Sequence, residues 1–94
     1  MIPINESSLR IREDNIVWRE TNDEIVILEL QTATYLTLNE SGQKLWFALL
    51  KGSTLGILVE MLVSEQGATE VQAEADVEAF LAALDERSLL EGYS

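Results

Sequence analysis

The apolar residues of this chain change their spacing at Leu38, and that change constrains the fold more than any other feature. Before Leu38 they cluster and alternate as in extended strands, with side chains pointing to opposite faces. Beyond it they recur at three and four positions, the spacing of one helix face. The chain therefore reads as strands first and helices second.

Asn15 to Thr21 contains Ile16, Val17 and Trp18 and runs into Thr21-Asn22-Asp23, a turn signal. Glu24 to Leu30 then reads E-I-V-I-L-E-L. The expected arrangement puts Val26, Leu28 and Leu30 inward and leaves Ile25, Ile27 and Glu29 on the other face. A short turn near Gln31 to Ala33 leads to a third strand, Thr34 to Leu38. Leu36 and Leu38 share one of its faces, while Tyr35 and Thr37 take the other. Connections this short make an antiparallel meander. Leu9 to Ile11 fits either a further short strand or an extended arm.

After the switch, Asn39 is a good N-cap for a helix with Leu45, Trp46, Leu49 and Leu50 at helical spacing. Gly52 should end it with a left-handed C-terminal cap. Ser53 or Thr54 can cap a second helix with Leu55, Leu58, Met61 and Leu62 on one face, ending at Gln66-Gly67. Thr69 and Gln72 have capping-box spacing for a third helix to about Arg87. Its stripe is Val77, Phe80, Leu81 and Leu84. The predicted fold is α+β: a three-stranded antiparallel sheet followed by three helices, with winged helix-turn-helix character. At 94 residues the chain fits one domain, 1–94, with its core at about 9–90.

Composition narrows the function. A hydrophobic fraction of 47% supports a real core and argues against a disordered acidic tail. The net charge of −11 would repel nucleic acid unless the cations were clustered, and Arg10, Arg12, Arg19, Lys44, Lys51 and Arg87 are dispersed. Histidine and cysteine are absent, which removes the usual general base, thiolate nucleophile and zinc ligands. The acidic pairs Glu13-Asp14, Asp23-Glu24 and Asp85-Glu86 fall in turns or near a helix end, where they read as solvated charge. No calcium loop or phosphate-binding glycine motif occurs. The expectation is a protein with no catalytic residues, metal or cofactor. The longest apolar run, Leu55 to Val63, is broken by Gly56 and Glu60, and the start lacks a basic-then-apolar signal. A cytoplasmic protein without a membrane partner is expected.

The run Tyr35-Leu36-Thr37-Leu38-Asn39, followed by Ser41-Gly42, Leu45-Trp46, Leu49-Leu50 and Lys51-Gly52-Ser53-Thr54, resembles the PqqD-like family. Asp76-Val77, Phe80-Leu81, Leu84 and Leu89-Leu90 resemble its closing helix, so the likeness reaches from about Ile16 to Leu90. Ser88 departs from it, since the family usually has glycine there. The resemblance implies a recognition element that binds the leader of a ribosomally made precursor peptide and presents it to modifying enzymes. The leader would lie as an added strand against the third strand, in a groove walled by the third helix. The sheet looks most like the free-standing proteins of lasso-peptide pathways, whose partners would be a leader peptidase and an ATP-dependent cyclase. Other free-standing members serve pyrroloquinoline quinone and further pathways.

The chemistry of such a groove can also be read from the residues. An edge strand offers unpaired backbone groups that an extended peptide can satisfy. The candidate peptide-binding residues are Thr34, Tyr35, Leu36, Thr37 and Leu38 of the strand and Asp76, Phe80, Ala83 and Arg87 of the helix. Ala83 permits close approach and Phe80 can line an apolar pocket floored by Leu36 and Leu38. The same three apolar residues can equally serve only the core. The helix's other flank, with Glu74, Glu78 and Asp85, is left to solvent. Rival readings are a winged-helix nucleic-acid-binding module and a domain that scaffolds a larger enzyme.

Overall fold

Each period in the sequence becomes the element it implies. The computed structural model describes residues 8–92. Its elements are β1 (Arg10–Ile11), β2 (Ile16–Glu20), β3 (Ile25–Glu29), β4 (Thr34–Leu38), α1 (Glu40–Lys51), α2 (Leu55–Gln66), α3 (Glu70–Glu86) and β5 (Leu90–Glu91). The fold is α+β, with a three-stranded antiparallel sheet in the order β2-β3-β4 followed by three helices.

The inward face of β3 differs from the expectation. Ile25 and Ile27 are fully buried and Glu29 is 8% exposed, whereas Leu28 and Leu30 are exposed and Val26 is only half-buried. Both faces of E-I-V-I-L-E-L carry large aliphatics, so alternation alone does not choose between them. In the folded protein Glu29 turns inward because Arg87 at the end of α3 meets it.

Leu9 to Ile11 is partly strand. Arg10 and Ile11 pair with Glu91 and Leu90 of β5, a two-residue strand that the sequence reading did not include. Leu9 and Ser53 exchange backbone bonds at 2.7 and 2.9 Å, which ties this segment to the α1–α2 junction. The Arg10 guanidinium donates to the Lys51 carbonyl at 3.3 Å, placing a cation at the negative end of α1.

The helix caps follow the sequence signals. Asn39 accepts from the Gly42 N–H, Thr54 from Ile57 and Thr69 from Gln72. Gly52 ends α1 at φ 93 and ψ 131, a glycine-permitted extended conformation rather than the left-handed helical cap expected. Trp46 lies at the centre of the core with Leu49, Leu58, Val77, Leu81 and Leu84, all buried. Its ring meets Trp18 of β2 edge-on at 6.0 Å, and Trp18 meets Phe47 at 5.9 Å. These edge-to-face contacts fasten the sheet to α1.

The end of α3 holds Ser88, the departure from the family likeness, in a left-handed conformation. The Leu89 N–H reaches back to the Leu84 carbonyl and the Ser88 N–H to that of Asp85, the two bonds of a Schellman motif. The motif requires a left-handed residue, and Ser88 adopts φ 59. A left-handed L-residue costs about 1–2 kcal/mol, of which glycine's greater freedom in the unfolded chain offsets about 0.4–1. Ser88→Gly is therefore expected to stabilise the protein by about 0.5–1 kcal/mol, read as a higher urea midpoint at unchanged slope. A lower midpoint would contradict the strained cap.

Candidate functional site

The sheet order leaves β4 at an edge, paired with β3 on one side only. Its outer N–H and C=O groups are available to an extended chain. Facing this edge is one flank of α3. Val77, Leu81 and Leu84 form the buried stripe of the helix, and Asp76, Phe80, Ala83 and Arg87 follow one another along its near side.

Two recesses mark the ends of the cleft. The first, of about 430 Å³, is lined by Leu38, Gly42, Leu45, Leu62, Asp76 and Phe80. Gly42 makes it possible: a Cβ there would stand 3.3 Å from the Leu38 Cβ and 3.4 Å from the Phe80 Cε1. Glycine costs helix stability, but here it lets Phe80 lie against the start of α1 and beside Leu38. Phe80 is half-buried, so part of its ring remains available.

The second recess, of about 500 Å³, is polar and includes Arg12, Glu29, Gln31, Thr34 and Arg87. The Arg87 guanidinium donates to Glu29 Oε2, and the Thr34 hydroxyl donates to the same oxygen at 3.3 Å. One carboxylate from β3 thus joins the helix to the edge strand. Burying it without a cation would be costly, and charge-assisted bonds offset that cost.

The candidate residues divide between these regions. Leu38, Asp76 and Phe80 come together in the apolar recess, while Thr34 and Arg87 meet through Glu29 in the polar one. Leu36 lies half-buried between them on the same face as Leu38, and exposed Ala83 lies between Phe80 and Arg87 without lining either recess. Tyr35 is on the outer face of the sheet, 68% exposed, in a cross-strand row with Leu28 and Val17. Thr37 shares the face of Tyr35, but borders the apolar recess where β4 runs into Asn39. Sequence reasoning missed Glu29 and Gly42. A lone glutamate in an aliphatic strand and a glycine in the first turn of a helix were the available signals.

Among the described residues no three histidine, cysteine or acidic side chains are grouped to hold a metal ion. No helix among them is long and apolar enough to cross a membrane.

A sheet edge beside a helix flank is an arrangement that can accept an extended peptide as an added strand. The chain belongs to the PqqD family: the model for coenzyme PQQ synthesis protein D matches residues 24–90. Among solved structures it is similar to TbiB1, determined in complex with the TbiA(beta) leader peptide. The identity is 35%, the match covers 90% of this chain and 98% of that one, and the TM-score is 0.81. It is also similar to a lasso peptide synthetase B1 complexed with the leader peptide, at 26% identity, 87% and 95% coverage and a TM-score of 0.78. No curated protein sequence matches the chain.

Removing the cation from the polar recess tests its energetic role. Arg87→Ala leaves a largely buried carboxylate without its charged donor and is expected to cost about 1–3 kcal/mol. Glu29→Gln in the same background should recover part of that loss in thermal denaturation, because the stranded charge is gone. Additive losses would show that the pair does not couple β3 to α3.

Proposed function

We propose that this protein binds the leader segment of a ribosomally made precursor peptide as a strand added to β4, opposite α3. It acts by contact, without chemistry of its own. In this reading it is a cytoplasmic adaptor of lasso-peptide biosynthesis, which delivers the bound precursor to a leader peptidase and an ATP-dependent cyclase. The observation that carries the proposal is the open β4 edge beside a recess between Leu38 and Phe80. The two leader complexes among similar structures support the ligand and the pathway.

The cleft also suggests how a leader would be read. Backbone pairing gives affinity with little regard for sequence, so selectivity falls to side chains that enter the recesses. Thr34 and Leu38 mark the two ends and are four residues apart, about 13 Å along a strand. Leader positions separated by four residues on the inward face therefore meet different surroundings. One enters the apolar recess at Phe80, and the other meets the Thr34–Glu29–Arg87 group. Ordering a flexible leader opposes this gain, so an affinity between micromolar and nanomolar, about −8 to −12 kcal/mol, is expected.

Titrating a fluorescent synthetic leader of a lasso-peptide precursor tests the reading. Phe80→Ala should weaken binding about tenfold, equivalent to about 1.4 kcal/mol. Ala83→Arg should block the cleft, and the β4 amides should shift on binding. Unchanged affinity in both variants, with unmoved β4 amides, would refute the groove.

A further inference from the structure

The flank of α3 turned away from the β4 groove forms a second cleft against α2. Leu55, Val59 and Val63 recur at four residues along α2, half-buried or exposed, and make an apolar ridge. Gly56 opens one end of the ridge with ordinary helical backbone, so no turn requires glycine there. The cleft measures about 370 Å³, and its rim carries Glu60, Glu70 and Glu74.

The charges on this rim are arranged against the helix's own interest. Glu70, Glu74 and Glu78 follow at i, i+4 and i+8, where like charges repel along one face. Glu60 adds a fourth carboxylate from α2. The ion pairs among the described residues are Arg12–Glu91, Lys44–Glu65 and Arg87–Glu29, and none relieves this row. Neither α2 nor α3 contains a lysine or arginine. The helix N-terminus favours Glu70 alone, since that effect fades within the first turn.

We propose that this cleft docks a cationic amphipathic helix of a partner protein, with aliphatic residues on the α2 ridge and lysines or arginines on the glutamate row. Two helices flanking an apolar trough suit a helix-in-groove contact, and the ridge from Leu55 to Val63 spans about 12 Å, two turns of a guest helix. Charge complementarity selects the occupant, because an acidic or neutral helix would leave the row unrelieved. The buried stripe Val77, Leu81 and Leu84 separates this flank from the leader groove, so both surfaces can be occupied together. The inference does not depend on leader binding.

The test uses the full chain and a synthetic lysine–leucine amphipathic helix of about 14 residues, beside a counterpart with glutamate for lysine. Saturable amide shifts are expected for the cationic peptide alone, centred on Gly56, Val59, Val63 and Glu74. Glu60→Gln, Glu70→Gln and Glu74→Gln together should weaken binding about tenfold. The charge-matched triple Glu13→Gln, Glu20→Gln and Glu24→Gln should leave it within about twofold. Glu74→Gln alone should raise the Tm by about 2 °C, since it relieves two like-charge neighbours. Shifts spread across the acidic surface or lying at β4, equal losses in both triples, or a lowered Tm in Glu74→Gln would each overturn the proposal. Self-association through the cleft, seen in sedimentation, would overturn it as well.

Discussion

The inward parity of β3 is the constraint on which the remaining architecture rests. With Ile25 and Ile27 turned to the helices, the register places Trp18 on one side and Leu36 on the other of the same inner face. Trp18 then reaches Trp46 and Phe47 of α1, while Leu36 and Leu38 come to lie opposite α3. A shift of one residue would exchange all these side chains with Val17, Leu28 and Tyr35. The sheet would lose its aromatic attachment and the cleft its floor.

The same parity brings Glu29 inside, where its carboxylate would be a liability in isolation. Arg87 and Thr34 turn it into a link between the middle strand, the edge strand and the end of the longest helix. A partly exposed ion pair contributes less than its Coulomb energy suggests. Its greater effect is geometric, because it holds the end of α3 beside β4 without filling the cleft. At the opposite end Gly42 achieves the complementary result by omitting a side chain, so Phe80 closes against α1. A polar contact and a missing methyl group thus set the two ends of the candidate surface.

Much of this was legible along the chain. The switch from strand to helical spacing at Leu38 located the boundary between sheet and helices, and Asn39, Thr54 and Thr69 cap the helices they were expected to cap. Thr34 to Leu38 was correctly placed as a strand, and the spacing of Asp76, Phe80, Ala83 and Arg87 set them on one flank of α3. The β1–β5 pair was only half visible, since two residues give no period and Leu90 has no neighbouring alternation to declare it a strand. Gly52 was legible as a helix end but not as a particular backbone conformation.

Local order was therefore determined by the sequence itself: period and capping act over a few residues, and their signals are written within those residues. Which face of β3 points inward was decided only by the tertiary structure. Ile25, Ile27, Val26 and Leu28 offer nearly equal apolar area on either side, so the choice passed to distant partners. Trp46 and Arg87 lie about twenty and sixty positions further along the chain, and only folding brings them to the sheet. The candidate cleft inherits that decision, because an edge strand and a helix flank meet as one surface only when the strand between them has turned the right way.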